Sequence, residues 1–437
     1  MSSPGRSLAL AAALSAAGYA ALAAAGDLRA SLGLYLGVHA LLFAAYAAAS
    51  RLVLKAPRGT LPGFAPVAAA AIAFRLILIP SPPSLSDDIH RYVWEGRLQL
   101  MGINPYRLAP SDPALAELRD GAYEGVNYKD LPAIYPPVAQ WAFALGALLG
   151  AGVRSMKVVV LAADAGLMLA LARLLRARGM EPARVVLYAW NPLAVVETAH
   201  SGHYDPLALS FLVAATVGII RERPIVSTTW LSLSAMSKLA PAALVPLFFH
   251  RRRPAALAVL PLAALICYLP YAGAGWGLLR STVEYAERWR ANDSLFGLLA
   301  SGIELSGVSA PAKAWADRRG WDSLYTQPHM LARGAAGLLL AGWMAWLVRR
   351  RLHGDVGLER AVALFTWGAI LLSPTVHPWY LLWAVAWLPA VPSHAWMALS
   401  GLFPLAYLGE TWTRWAIYLP FYALLLAGFM RGGRSRV

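Results

Sequence analysis

Apolar stretches of about 15–20 residues recur along the whole chain and constrain its fold more than any other feature. Hydrophobic residues make up 59% of the 437 residues, charged residues make up 14%, and the mean hydropathy is +0.53. Backbone that crosses a bilayer must satisfy its own hydrogen bonds, so segments of this kind form helices. The sequence therefore predicts an all-α membrane protein that crosses the bilayer many times.

About fourteen membrane-spanning helices are predicted within a single integral membrane domain, residues 1–437. Their predicted starts lie near residues 7, 30, 62, 157, 184, 206, 224, 240, 254, 331, 359, 378, 395 and 413. The seventh and eighth spans are short and are broken around Ser237-Lys238-Leu239-Ala240-Pro241. The first apolar stretch is either a cleaved signal peptide or an uncleaved helix, and its length favours the uncleaved helix.

The distribution of basic residues predicts the orientation of these spans. If the apolar segment 137–152 is a re-entrant or surface helix rather than a span, every basic cluster in a short loop falls on one side. The clusters are Arg51/Lys55/Arg58, Arg173 to Arg184, Arg221/Arg223, Arg251 to Arg253, Arg349 to Arg351 and Arg431 to Arg436. The positive-inside rule then places that side, and both termini, in the cytoplasm. The net charge of +15 is thus a signal of topology and does not indicate a nucleic-acid partner.

Two long loops, residues 81–156 and 272–330, are then predicted on the outer face of the plasma (inner) membrane. Three shorter outer turns accompany them: His200 to Asp205, Thr375 to Tyr380 and Glu410 to Arg414. Nearly all of the unusual polar chemistry lies in these segments, on a face where ATP and nucleotide sugars are absent. We therefore expect the function to reside on the outer face.

An acidic pair, Asp87 and Asp88, directly follows the apolar segment Leu61 to Pro80. Charged groups at the edge of a bilayer are costly unless they are paired or functional. A helix that begins at Asp88 brings Arg91 and Glu95 onto one face, one turn apart, with Asp88 above them. His90 and Arg97 complete the cluster. Two interpretations stay open: an amphipathic surface helix with solvated charges, or a catalytic base supported by neighbouring charges.

Three further motifs lie in the predicted outer segments. Tyr135-Pro136-Pro137 is either a helix cap or part of a substrate-binding surface. His200, His203 and Asp205 resemble metal ligands, but their spacing is a weak ligand pattern, so a polar floor of an active site or a plain turn is preferred and no metal is expected. His377 stands at a predicted helix start, where anions bind, and Tyr380 follows it. The aromatic residues around His377 also fit an interfacial belt.

Five scattered cations stand out: Lys238 lies in the broken pair of spans, Arg75 lies inside the third span, and the second outer loop holds Arg280, Arg288 and Arg290. An unpaired cation inside a span costs roughly 2.5–3.5 kcal/mol on insertion scales. Lys238 and Arg75 are therefore expected to meet an anion, either an acid such as Asp164 or Glu197 or the phosphate of a ligand. The alternative is that their side chains extend to the membrane surface.

Five strings carry a family resemblance: SDDIHRYVWEGRLQLMGINPY, IYPPVAQ, WNPLAVVETAHSGHYDPLAL, SKLAP and SPTVHPWYLLW. They resemble the GT-C superfamily of membrane glycosyltransferases, most closely the polyprenol-phosphate-mannose-dependent mannosyltransferases, including glycosyltransferase family 87 and the α-1,6-mannosyltransferases. The resemblance covers roughly residues 62–392. The chain departs from the family pattern in having two extra spans before the acidic motif.

The resemblance implies a GT-C-type fold, with juxtamembrane helices in the first outer loop, and an inverting transfer of a hexose, mannose by resemblance. The donor would be a polyprenyl-phosphate sugar from the membrane lipid phase, the acceptor a glycan or glycolipid, and no cofactor would be needed. Asp87 or Asp88 would be the general base, with Asp87 preferred because it matches the first acid of the superfamily's pair. His377 matches a family histidine near the donor.

The residues that we predict to contact the substrates fall into two groups. Candidates for the donor phosphate are His377, Lys238, Arg288 and Arg91, and candidates for other substrate contacts are Glu95, Tyr135, His200, His203, Asp205 and Tyr380. Two rival functions are a transporter or lipid-linked sugar flippase, with the broken spans as its site, and an O-antigen ligase-like enzyme. The sequence leaves the sugar, the acceptor and the linkage open.

Overall fold

The computed structural model describes residues 3–57, 59–250 and 253–434, and within these ranges the regular structure is helical, without a β-strand. Arg58, Arg251, Arg252 and Arg436 of the predicted basic loops lie outside the described residues. The helices of the first half are α1 (Ser3–Ala25), α2 (Leu32–Lys55), α3 (Phe64–Leu78), α4 (Asp88–Leu100), α5 (Gly121–Glu124), α6 (Pro137–Leu148), α7 (Val153–Ala177), α8 (Val186–Ala189), α9 (Pro192–Val195) and α10 (Asp205–Ile220). Those of the second half are α11 (Pro224–Ser237), α12 (Val259–Tyr268), α13 (Gly277–Arg288), α14 (Leu295–Ser306), α15 (Ser309–Asp317), α16 (Pro328–Leu352), α17 (Leu358–Leu371), α18 (Leu382–Val385), α19 (His394–Leu402) and α20 (Thr413–Arg434).

Six helical segments in the described residues are long and apolar enough to cross a membrane. They are Pro4–Ala25, Leu32–Lys55, Val153–Ala177, Pro254–Ala274, Pro328–Leu352 and Thr413–Met430. A seventh candidate is the pair α14 and α15, which is bent by 73°. The protein is therefore an all-helical, polytopic membrane protein, while the count of fourteen spans stays a prediction.

The bent pair α14 and α15 lies inside the predicted outer loop 272–330. A re-entrant pair enters and leaves a membrane on the same side, which leaves the predicted orientation of the other spans unchanged. In the first predicted loop, the apolar segment 137–152 contains the 12-residue helix α6, which ends at Leu148. At 1.5 Å per residue, α6 is about 18 Å long, shorter than the hydrocarbon core of a bilayer.

Proline positions determine where two predicted spans break. The predicted span from residue 184 is a series of short helical turns, because Pro192 cannot donate an N–H and forces Asn191 into an extended conformation. Asn191 caps the next turn by accepting hydrogen bonds from Leu193 and Ala194. The predicted break after Ser237 is present: α11 ends there and a 3₁₀ helix, Ala240–Phe248, follows.

The largest hydrophobic cluster joins α1, α2 and α3 to α7, α10, α17 and the chain between residues 183 and 199. Inside it, Arg75 of α3 pairs with Asp164 of α7, and both side chains are almost fully buried. Of the alternatives left open for Arg75, the structure therefore shows pairing with an acid. This pair fixes α3, and hence the acidic segment that follows it, against α7.

The chain segments between helices gather at two opposite ends of the bundle. Contacts at one end join segments predicted to be outer: Leu28 N donates to Ser84 Oγ (2.8 Å), and Asn292 Nδ2 donates to the Val376 carbonyl (3.1 Å). Contacts at the other end join segments predicted to be cytoplasmic: Gly59 N donates to Glu181 Oε1 (3.0 Å), and Arg178 pairs with Glu359 (2.5 Å). The grouping agrees with the charge pattern, while the membrane side that each end faces stays a prediction.

Candidate active site

The acidic pair lies at the start of α4, at the end of the bundle that holds the predicted outer segments. Asp87 is exposed, whereas the side chain of Asp88 is only 19% exposed. The side-chain amide of Asn127 donates to both carboxylates, at 2.9 Å to Asp87 Oδ1 and 2.7 Å to Asp88 Oδ1. One amide therefore holds the two carboxylates together.

Arg91, on the next turn of α4, holds the loop that carries Asn127. Its Nε donates to Glu95 at 2.8 Å, and its two Nη atoms donate to four backbone carbonyls of that loop. Those carbonyls belong to Asn127 (3.0 Å), Tyr128 (3.0 Å), Leu131 and Pro132 (2.7 Å). A guanidinium has five N–H groups, so all of them are used. Arg91 is thus a positioning residue here, and it has no donor left for the phosphate contact that the sequence predicted.

Glu95 and Tyr135 belong to the buried support of the site. Glu95 is 1% exposed, and Gln140 donates to its Oε2 at 2.6 Å. Burial raises the pKa of Glu95, although the charge of Arg91 and the bonds from Gln140 and Arg91 oppose that rise. The ring of Tyr135 packs edge-on against Tyr204, at 5.2 Å between ring centres. These contacts place Glu95 and Tyr135 in the buried support of the site, and their predicted contact with substrate stays a prediction.

His203 approaches Asp88 from the buried side. Its Nδ1 lies 3.8 Å from Asp88 Oδ2, and its Nε2 lies 3.5 Å from Glu197 Oε2. The preceding Gly202 makes this approach possible, because it has a φ of 81° and because a Cβ there would lie 2.3 Å from Ile89 Cδ1. Burial, with the nearby charge of Lys238, lowers the pKa of His203 well below its usual value. The imidazole beside Asp88 is therefore neutral near pH 7.

An aromatic stack connects His203 to His377. The Trp379 ring lies between the two imidazoles, with ring centres 3.9 Å from His203 and 4.5 Å from His377. Burial, with the charge of Lys238, lowers the pKa of His377 to about 4, so this imidazole is neutral near pH 7. The structure thus brings His377 and the acidic pair to one site, although 289 residues separate His377 from Asp88 in the chain.

Lys238 and Asp205 form an ion pair beside this stack. Trp383 Nε1 also donates to Asp205 Oδ1, at 2.6 Å. The ammonium of Lys238 lies 5.1 Å from the centre of the Tyr380 ring, and the Tyr380 hydroxyl bonds that of Tyr285. The charges of Lys238 and Asp205 therefore offset each other at the edge of the site.

Two predicted residues lie away from this group. Arg288 has a side chain that is 72% exposed and pairs with Glu284 on α13, at 3.2 Å. His200 is buried, and its Nε2 lies 3.1 Å from Ser84 Oγ, so it contacts the segment before α4 rather than the carboxylates. The structure does not bring either residue beside the carboxylates, and their predicted substrate contacts stay predictions.

An open cavity of about 510 Å³ lies beside the acidic pair. Asp87, His90, His377 and Trp379 line it, together with Arg29 from the turn between α1 and α2 and with other residues of the predicted outer segments. Burial lowers the pKa of His90, although the charge of Asp87 opposes the change. The cavity therefore combines a carboxylate, two neutral imidazoles and a guanidinium, which suits a polar, phosphate-containing substrate.

Burial also determines the acidity of Asp88. It raises the pKa of this carboxyl to about 6, the charges of Asp87 and Asp205 add to the rise, and the Asn127 hydrogen bond and the charge of Lys238 oppose it. A carboxylate with such a pKa is ionised at neutral pH and is a stronger base than an ordinary aspartate.

Two family models match the chain, each over more than half of its length. One is described as "Alpha-(1->6)-mannopyranosyltransferase, N-terminal domain" and matches residues 5–251, and the other is glycosyltransferase family 87, matching residues 133–374. The chain belongs to these glycosyltransferase families. The predicted resemblance is thereby confirmed, and the match to family 87 covers His203, Lys238 and Asp205.

Two curated relatives of this family-87 chain come from mycobacteria. A protein of Mycolicibacterium smegmatis, named "Probable alpha-(1->6)-mannopyranosyltransferase", is 26% identical over an alignment of 378 residues that covers 74% of this chain. An alpha-(1->6)-mannopyranosyltransferase of Mycobacterium tuberculosis is 26% identical over an alignment of 403 residues that covers 75% of this chain. In both cases the match spans 64% of the relative's length.

Sequence analysis of this family-87 chain missed Asn127 and Arg29. Asn127 lies 39 residues from Asp88 in an irregular loop, and no local pattern marks it. Arg29 carried a weak signal, since it is a basic residue in a turn that the charge pattern assigns to the outer face. Within the described residues no three His, Cys, Asp or Glu side chains gather as metal ligands do, and the absence of a metal from the reaction stays a prediction.

Proposed function

We propose that the protein is an inverting glycosyltransferase that moves a hexose, mannose by family resemblance, from a polyprenyl-phosphate donor to a glycan or glycolipid acceptor. The reaction would take place on the outer face of the plasma membrane. The observation that carries the proposal is the pair Asp87 and Asp88, bridged by Asn127, with Asp87 lining an open cavity, in a chain of these families.

We assign the general base to Asp88 rather than to Asp87, which the family pattern favoured. Asp88 has the raised pKa and the partly buried carboxylate, whereas Asp87 is exposed to the cavity. In this scheme the acceptor hydroxyl gives its proton to Asp88 while its oxygen forms a bond to the anomeric carbon. The bond from that carbon to the phosphate oxygen breaks on the opposite face, and its electron pair leaves with the lipid phosphate. Inversion of the anomeric centre follows from this geometry.

The side chains around the pair have supporting roles in this scheme. Asp87 orients the acceptor and keeps the pKa of Asp88 raised through its charge. His377, as a neutral imidazole lining the cavity, donates an N–H to the departing phosphate. The Arg91 network holds the Asn127 loop so that both carboxylates keep their positions.

A transfer assay tests the proposal. The purified protein is supplied with synthetic polyprenyl-phosphate mannose, glucose or arabinose and with lipid-linked glycan acceptors, and product anomers are identified by NMR. Transfer from at least one donor, with inversion, is expected for the wild type and for Glu117→Gln, a control at an exposed acid of the same loop. Asp88→Asn is expected to lose it. Absence of transfer, combined with movement of lipid-linked sugar across liposome bilayers, would favour the flippase alternative.

A further inference from the structure

Arg29 lies in the turn between α1 and α2, and this turn is fastened to the segment that leads to the acidic pair. Leu28 N donates to Ser84 Oγ at 2.8 Å, and Arg29 Nη2 donates to the carbonyl of Leu85 at 2.9 Å. Leu85 stands two residues before Asp87. The turn of the N-terminal hairpin is therefore part of the wall that carries the acidic pair.

The guanidinium of Arg29 is also held from a second direction. Its Cζ lies 5.3 Å from the centre of the Tyr407 ring, and its Nη1 lies 3.5 Å from the Tyr407 carbonyl oxygen. The two hydrogen bonds use two of its five N–H groups. Arg29 is exposed, and it lines the cavity together with Asp87 and His377. A positioned guanidinium with unused donors at a cavity wall is suited to an anion with several oxygens.

Arg29 supplies the positive charge of the cavity wall. Among the described residues that line it, Arg29 is the only Lys or Arg. His377 and His90 have lowered pKa values and are neutral near pH 7. Lys238 is paired with Asp205, and the donors of Arg91 are all used within the protein. A phosphate that enters the cavity therefore has one permanent positive charge to meet.

We propose that Arg29 binds the phosphate of the lipid-linked donor and stabilises it as the leaving group, so that the N-terminal hairpin of α1 and α2 completes the active site. This inference rests on the proposed function and adds a residue and an element to it. The ligand chemistry is a phosphodiester that joins a long isoprenoid alcohol to the anomeric carbon of the sugar. Its two oxygens that are not esterified face the unused N–H groups of Arg29, and the N–H of His377 supplies a further bond.

Binding of farnesyl phosphate to the full chain in a phosphate-free maltoside detergent tests the proposal. Isothermal titration compares the wild type with Arg29→Gln, Arg29→Lys and the control Arg107→Gln, which changes an exposed cation of the first predicted outer loop. Farnesol, which lacks the phosphate, and inorganic phosphate, which lacks the lipid, separate the two parts of the ligand. Thermal unfolding of each variant reports whether the fold is kept.

Farnesyl phosphate is expected to bind the wild type and Arg107→Gln at least about tenfold more tightly than it binds Arg29→Gln. Its affinity for Arg29→Lys is expected to lie between these values. Farnesol and inorganic phosphate bind weakly to all forms, so tight binding of inorganic phosphate to the wild type would contradict a lipid-phosphate site. In the transfer assay, Arg29→Gln should raise the donor KM and leave the acceptor KM unchanged.

The outcomes separate this inference from the proposed function. If the wild type transfers sugar while Arg29→Gln keeps the farnesyl phosphate affinity and donor KM of the wild type, the role of Arg29 is disproved and the glycosyltransferase proposal stands. If the wild type neither transfers sugar nor distinguishes farnesyl phosphate from farnesol, both fail. If Arg29→Gln does not fold, Arg29→Met takes its place as the uncharged variant, and a wild-type affinity and donor KM in Arg29→Met would likewise disprove the role.

Discussion

Asn127 donates its side-chain amide to the Asp88 carboxylate at 2.7 Å, and this bond opposes the effect of burial on the pKa of Asp88. The same nitrogen bonds Asp87, so the loop that carries Asn127 controls both the position and the ionisation of the acidic pair.

Replacing Asn127 by Ala is expected to move the acidic limb of the pH–rate profile upwards. The hydrogen bond stabilises ionised Asp88, so its loss raises the pKa of that carboxyl further above its present value of about 6. The ionised fraction then falls at a higher pH, and the rate at pH 6 drops more than the rate at pH 8. Profiles of kcat/KM from pH 5 to 9 measure the shift. An acidic limb at the wild-type position would show that Asn127 does not act on the base.

Asparagine substitutions separate the roles of the two carboxylates. Asp88→Asn removes the proposed base and should lower kcat by about 10²–10⁴-fold at every pH. Asp87→Asn removes a negative charge that raises the pKa of Asp88, so its acidic limb should move to lower pH while measurable activity remains. The same kinetic profiles, with expression and thermal unfolding as controls, check both expectations. The reverse pattern, with activity lost only in Asp87→Asn, would assign the base to Asp87.

The Arg91–Glu95 pair should contribute strongly to stability. Both side chains are at least 95% buried, so Arg91→Gln leaves Glu95 without its partner charge and frees four loop carbonyls. A cost of about 3–5 kcal/mol is expected from such a broken pair. Thermal unfolding of the detergent-purified protein measures it.

A double-mutant cycle provides the control for the Arg91–Glu95 prediction. Glu95→Gln removes the buried charge, so the double variant Arg91→Gln/Glu95→Gln should lose less stability than the two single changes add up to. Full additivity would mean that the pair is not coupled. Activity is expected to stay low in the double variant, since the four carbonyls still lack their donor.

The sequence predicted that several distant polar residues come together. Polar residues at the ends of apolar helices on one side of a membrane share a small area, so many of them lie close to one another. Asp88, His203, Asp205, Lys238 and His377 come from four distant segments and gather at one site. The hydrogen-bond partners of the polar residues were not predictable in the same way. Arg91 was visible as a charge, but the carbonyls that it binds belong to an irregular loop whose path no periodicity describes.

For the fold, too, the sequence predicted the helices but not all of the local backbone geometry. Apolar stretches predicted the helices and their membrane character, and Pro241 marked the break after Ser237. The chain from Val186 to His200 read as a continuous apolar span, yet it consists of short turns separated at Asn191-Pro192. Hydropathy carries no information on backbone geometry. An apolar segment with one internal proline can form either a continuous helix or a broken one, and hydropathy does not distinguish the two.

Lys238 and Asp205 offer a contrast with the proposed phosphate ligand. Because the two charges offset each other, Lys238→Met should act mainly by leaving Asp205 unpaired, at a cost of about 1–3 kcal/mol in stability. The double variant Lys238→Met/Asp205→Asn should recover most of that loss, since Trp383 can still donate to the remaining side-chain oxygen. Thermal unfolding and donor KM are measured for all three forms. A donor KM that stays high in the stable double variant would show that Lys238 itself binds the phosphate. The phosphate-binding role that we assign to Arg29 would then be shared with Lys238.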